Sequence, residues 1–312
     1  SKNVFVAGLH QHSAVGGTYA WKSSDGGYSW DPIYQIEVTS GDPCDMLYLM
    51  TFIFDVKAID ENTAILVGGG VDEECIEQWE DPWCLIFCML DYLPLVLRTT
   101  DGGETWERIT LPNAKPMRIA TTLFFLDDQV GFIGGDGMLY VTYDGGINWY
   151  PLNMPEPLKQ EGEDVVCVSA IFALDPMHIY IVTGEADFGE EEKGSSPIEN
   201  IIRRTLFFKD PYYRFLAIRN GKAPKAVNGV IYYTPDGGET WRVLRSAADE
   251  GYVQIFFIDE NTGWLLAIPA DYTNEDRTRI YKTTDGGETW ERLEFPDIPD
   301  VSAYDIWWLH FF

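Results

Sequence analysis

An all-β fold, built as a single β-propeller of four-stranded antiparallel blades, is what three features of this 312-residue sequence predict. The first is a turn motif written five times. The second is a set of short, β-branched and aromatic segments placed alike around each copy. The third is a near absence of helix-period stretches.

The motif is Ser/Thr-x-Asp-Gly-Gly-x-x-Trp. It occurs as SSDGGYSW at 23–30, TTDGGETW at 99–106, TYDGGINW at 142–149, TPDGGETW at 234–241 and TTDGGETW at 283–290. Two copies extend to ten identical residues, TTDGGETWER. Paired glycines tolerate the positive φ of a tight hairpin. Asp25, Asp101, Asp144, Asp236 and Asp285 can accept hydrogen bonds from nearby backbone N–H groups at such a corner. Trp30, Trp106, Trp149, Trp241 and Trp290 each put a large apolar plate where the next strand begins.

The flanks repeat as well. VQIFFIDENTGWLLAI precedes the last box and TLFFLDDQVGFIGG precedes the third. Each reads as strand A, a minimal turn, strand B, a variable loop, strand C, the box, then strand D. Such a meander cannot bury both faces alone, so the units are expected to pack radially as blades. Residues 2–9 read as a strand B with nothing before it, and 304–312 as a strand A with nothing after it. Pairing of these terminal strands is expected to close the ring. Box spacings of 76, 43, 92 and 49 give five blades, with six or seven as alternative counts.

The five boxes resemble the Asp-box, or BNR, repeat of sialidases, xyloglucan-active hydrolases, sortilin-type receptors and photosystem II assembly factors. The resemblance spans nearly the whole chain and implies a propeller. It also implies that the five aspartates and tryptophans are scaffold residues remote from any active site. The Arg-Ile-Pro element of sialidases is absent, and no single family fits.

Alternating strand direction places A–B turns and boxes on one face, and B–C and D–A loops on the other. The long departures from the repeat are B–C loops at 70–93 and 185–229, within one domain spanning 1–312. Long loops on a rigid scaffold are where binding concentrates. The 70–93 loop holds seven acidic residues, no basic one and an apolar run containing Trp83 and Phe87. Its Cys75, Cys84 and Cys88, with Cys44 nearby, can form two disulfides; free thiols or a metal site are the other readings, and a metal has little support without a histidine. Cys167 reads as a buried thiol. In the second loop, residues 203–225 carry seven basic residues and one acid. Arg203, Arg204 and Arg214 are interleaved there with Phe207, Phe208, Tyr212 and Tyr213. This mixture suits a protein interface, or a hairpin extending strands B and C against its own acidic neighbours.

Net charge is -28, from 50 acidic and 22 basic residues. That field disfavours nucleic acid and anionic membranes. The run 83–97 is too short and too broken to cross a bilayer. The chain starts at Ser1 without Met or a signal peptide, as after removal of a leader or at the boundary of an expressed piece. No catalytic residue, metal or cofactor motif stands out. A glycosidase needs two carboxylates across a cleft, and an acidic chain offers too many to choose from. The expectation is therefore a non-catalytic binding or scaffold module, in an extracellular, periplasmic, cell-surface or virion-type assembly, with a protein partner or self-assembly. Alternatives are a hydrolase of a neutral polysaccharide, for which a glycan would be the ligand, and an assembly factor for a membrane complex.

Overall fold

The computed structural model describes residues 4–12, 15–37, 51–71, 92–158, 167–187, 203, 225–270 and 278–294. They fall in two compact units, 1–152 and 153–312.

The first unit holds three antiparallel sheets. Sheet 1 is β1 (Val4–His12), β2 (Val15–Ser23) and β3 (Asp31–Glu37), in that order. Sheet 2 is β4 (Phe52–Ala58), β5 (Ala64–Gly70), β6 (Leu93–Thr99) and β7 (Glu107–Arg108). Sheet 3 is β8 (Ala120–Phe125), β9 (Gly131–Gly135), β10 (Met138–Thr142) and β11 (Tyr150–Pro151). The second unit holds two. Sheet 4 is β12 (Cys167–Ala173), β13 (Ile179–Asp187), β14 (Lys225–Thr234) and β15 (Arg242–Ala247). Sheet 5 is β16 (Glu250–Phe257), β17 (Gly263–Pro269), β18 (Arg279–Thr283) and β19 (Glu291–Arg292).

The protein is thus all-β, with sheets of the propeller-blade kind, and the five sheets agree with five blades. Each meander pairs consecutive strands, as the repeat requires. In sheet 1, β1 takes the strand B position because β2 runs directly into the first box. Residues 304–312, expected as its strand A, lie outside the described residues.

Strand β5 explains why the B strands read as unbroken apolar runs. All seven of its residues are buried. Ile65 and Val67 join the core shared with sheet 3, beside Leu123, Ile133 and Trp149. Leu66, one step along, joins the core shared with sheet 1, beside Ala20 and Ile53. Side chains alternate faces along a strand, so a sheet covered on both sides needs apolar residues at every position.

A bulge recurs where strand A meets strand B. It falls between Ile53 and Asp55, Ala120 and Thr122, Val168 and Ala170, and Tyr252 and Gln254. The re-aimed polar side chains then tie sheet to sheet. Asp55 Oδ2 accepts from Leu123 N at 2.9 Å. Ser169 Oγ donates to Tyr252 O at 2.6 Å.

Candidate functional site

The box geometry is the same in all five sheets. In the second, Thr99 Oγ1 donates to Asp101 Oδ1 at 2.7 Å and accepts from Gly103 N at 2.9 Å. Asp101 also accepts from Thr105 N at 3.0 Å and Thr105 Oγ1 at 2.5 Å. Ser23, Thr142, Thr234 and Thr283 play the part of Thr99 in the other boxes. All ten box glycines have φ between 68° and 98°, the left-handed region that penalises a Cβ. The carboxylates of Asp25 and Asp101 are held far below their ordinary range, chiefly by donors from Ser29 and Thr105 respectively. For Asp144, burial raises the value, but the hydrogen bonds from Asn148 and Thr142 outweigh it and leave it lowered.

The residue before each Trp is always a donor: Ser29, Thr105, Asn148, Thr240 and Thr289 each reach the box aspartate through the side chain. The motif as read from sequence left that position unassigned, although Ser, Thr or Asn stands there every time. The tryptophans do not behave alike. Trp149 is buried in the core and its Nε1 donates back to Gly146 O. Trp106 Nε1 instead donates across to Ile33 O of β3 at 2.8 Å. Trp241 donates to Asn153 O, while Trp30 and Trp290 curl back to Gly27 O and Gly287 O.

A second aspartate completes this end of sheets 2 to 5. Asp60, Asp127, Asp175 and Asp259 sit in the A–B turns, each accepting from two backbone N–H groups ahead of it. The first box glycine then donates to the turn: Gly102 N to Asn62 O, Gly145 N to Gln129 O, Gly237 N to Met177 O and Gly286 N to Asn261 O, all at 2.8–2.9 Å. The repeated Ile/Leu-Asp at 59–60, 126–127, 174–175 and 258–259 was the available signal. Box and turn form one closed, hydrogen-bonded clasp.

The opposite ends carry the excursions. In the first unit, residues 72–91 leave between β5 and β6. Their root is pinned by Tyr92, which is fully buried against Gly69 and accepts from Met117 N through its own carbonyl. Arg108 Nη1 donates to Val71 O at 3.3 Å. In the second unit, β13 and β14 run on past the repeat to pair Asp187 with Lys225. The excursion is therefore 188–224, shorter at both ends than the 185–229 read from sequence. Asn228, at φ 53°, donates from its side chain to Glu185 across the hairpin. Ala186 and Ala226 on this stem pack with Val253, Leu266, Ile268 and Ile280 of sheet 5.

Beside that stem lies a network of ionic side chains around a buried carboxylate. Glu250 is only 1% exposed. Its Oε1 accepts from Arg245 Nη2 at 2.8 Å, and its Oε2 from Arg279 Nη1 at 3.1 Å and from the Tyr281 hydroxyl at 2.7 Å. The Arg245 guanidinium lies 4.2 Å from the Tyr281 ring centroid and its Nε donates to the Tyr252 hydroxyl. Burial alone raises the Glu250 pKa, but the donors from Arg245, Tyr281 and Arg279 outweigh it and lower the value below the ordinary 4.5. Burial, with the bond to Glu250, pushes Tyr281 up to about 12. Such a carboxylate is stabilised as an anion and suits an architectural role better than proton donation.

Of the residues singled out from sequence for partner contact, Arg203 alone is described, as a half-buried residue. Trp83, Phe87, Arg204, Phe207, Phe208, Tyr212, Tyr213 and Arg214 lie outside the described residues, as do Cys44, Cys75, Cys84 and Cys88. Cys167, at the start of β12, is half-buried rather than buried, and its thiol donates to Val168 O at 3.7 Å. Among the described residues, no group of three His, Cys, Asp or Glu side chains could hold a metal. No helix there is long and apolar enough to cross a membrane.

Residues 281–292 match the repeat family described as BNR/Asp-box repeat. The chain carries Asp-box repeats. No curated protein matches it. Among solved structures it is similar to "YCF48 bound to D1 peptide", at 15% identity over 81% of this chain and 84% of that one, TM-score 0.35. It is also similar to an ancestral GH74 enzyme, at 12% identity over 92% of this chain and 38% of that one, TM-score 0.42. A third is the alpha-L-arabinanase of Penicillium chrysogenum complexed with arabinobiose, at 11% identity over 92% of this chain and 72% of that one, TM-score 0.41.

Proposed function

We propose that this chain is a non-catalytic protein-binding module of an extracellular, periplasmic, cell-surface or virion-type assembly, recognising its partner through the excursions opposite the boxes. The observation that supports this reading most is the β13–β14 stem. A repeat that needed only to turn around would end at Thr183 and Val230, yet the hairpin continues and seats Ala186 and Ala226 in the core with sheet 5. A packed stem lowers the ordering cost of whatever it presents. What it presents is rich in Arg, Phe and Tyr, the residue types that anchor protein interfaces. On so acidic a chain, that segment selects a partner with carboxylates beside apolar surface.

The test compares the full chain with two variants. One replaces 190–222 by a short Gly-Ser turn on the intact stem; the other is Arg203→Glu/Arg204→Glu/Arg214→Glu. Partners captured and cross-linked by the full chain are expected to be lost from both. Capture that is equal with all three proteins overturns the proposal. Hydrolysis of a neutral polysaccharide by the full chain would replace it with the enzyme reading, and co-purification with membranes would favour an assembly factor.

A further inference from the structure

The boxed end of the first unit holds a feature that a purely structural corner does not need. Tyr143, Ile147 and Tyr150 are each 53% exposed around the third box. The corresponding positions of the second box are Thr100, Glu104 and Glu107, and those of the fifth are Thr284, Glu288 and Glu291. The clasp is the same in all three boxes, so it does not require apolar side chains there. The two tyrosine rings lie 6.4 Å apart, tilted by 38°. The Asp127–Gln129 turn is tied to the third box through Gly145 N, which donates to Gln129 O. Asp127 and Asp128 are exposed on it.

Elsewhere the chain covers rings on its strands with its own cations. Arg242 sits 5.1 Å from the Tyr233 ring, Lys282 5.6 Å from Trp264, and Lys22 5.5 Å from Phe5. Among the described residues, no cation covers Tyr143 or Tyr150.

We propose that the Tyr143–Ile147–Tyr150 patch docks an arginine-bearing basic segment of a partner protein. Two electron-rich ring faces match a planar guanidinium, which stacks on aromatic faces. The aliphatic stem of the arginine packs on Ile147. The field of a chain with net charge -28 draws such a segment in and repels acidic ligands. The proposal stands whether or not the excursions bind a partner.

The probe is a capped twelve-residue peptide of alternating Arg and Gly, titrated calorimetrically into the full chain at two salt concentrations. The decisive variant is Tyr143→Thr/Ile147→Glu/Tyr150→Glu, which copies the second box and so preserves the corner. It adds two negative charges, which strengthens nonspecific attraction. A loss of affinity of roughly tenfold or more is nevertheless expected, from two lost ring contacts. Tyr143→Phe/Tyr150→Phe is expected to keep the binding. Equal or tighter binding by the Thr/Glu/Glu variant overturns the proposal, as does loss of binding in the Phe/Phe variant. Binding of cellohexaose by the wild type, with no response to the arginine peptide, would instead make the patch a sugar platform.

Discussion

Replacing Glu250 by Ala should be the most damaging single change to a charged residue in the second unit. The carboxylate is 1% exposed and accepts from two guanidinium groups and a phenol, at 2.7–3.1 Å. Its removal takes the carboxylate 2.8 Å from Arg245 and 3.1 Å from Arg279, of which Arg279 keeps Asp249 at 3.8 Å. Breaking a buried pair by deleting one partner costs about 3–5 kcal/mol. Arg245 and Arg279 keep 25% and 17% of their side-chain surface in water, which relieves part of that penalty. The expected loss is therefore at the lower end, about 3 kcal/mol. With a urea slope of about 3 kcal/mol/M, the unfolding midpoint of the second unit falls by about 1 M. Amide exchange along β16 reports the same loss locally. Glu250→Gln keeps the volume and one acceptor and should lose about half as much. The wild-type contribution depends on pH with a definite sign. The folded pKa is lowered, so the stabilisation is full above 4.5 and fades as pH falls through the folded value. A midpoint change below about 0.3 M for Glu250→Ala would refute the reasoning, as would a wild-type stability that rises on acidification below 4.5.

Three further outcomes follow from the clasp. Thr283→Val removes the hydroxyl that donates to Asp285 and accepts from Gly287 N, both at 2.8–2.9 Å. A loss of about 1–2 kcal/mol in denaturant titration is expected, and no loss would show the hydroxyl to be dispensable. Gly146→Ala and Gly26→Ala share φ 82°, but a Cβ would lie 2.2 Å from Ile65 Cδ1 at Gly146 and meet nothing within 4 Å at Gly26. Both pay the left-handed penalty, so the excess cost at Gly146, about 1–3 kcal/mol, isolates the packing clash. Finally, carboxyl NMR titration should find Asp25 and Asp101 still ionised at 3.8, where an ordinary aspartate is half protonated. Because their folded values are lowered, their contribution is present above 3.8 and disappears only in stronger acid.

The strand order and the position of every box were legible because each rests on local chemistry. Asp-Gly-Gly can make few structures other than a left-handed corner, and VQIFF or TLFF pattern as strands without help from distant residues. The turn aspartates are equally local, written in the repeated Ile/Leu-Asp pairs. The extent of the β13–β14 stem was not legible. Glu185, Ala186 and Asp187 look like the start of an acidic loop; they are strand because Val227, Ala226 and Lys225 pair with them and Ala186 packs with sheet 5. Nor could the apolar third box be distinguished from the others, since Tyr and Ile at a corner read as buried or exposed with equal ease.

What the sequence determined by itself is the repeating unit: corners set by backbone torsions that only glycine adopts cheaply, and strands set by short runs of β-branched and aromatic residues. What the tertiary structure decided is which side chains are left over. Glu250, Arg245 and Arg279 meet because β15, β16 and β18 reach the same corner from different parts of the chain. Tyr143 and Tyr150 share a surface because a hairpin folds them together. A torsional preference acts between neighbours and is written in adjacent letters; a contact depends on which distant strand arrives, and no short stretch records that.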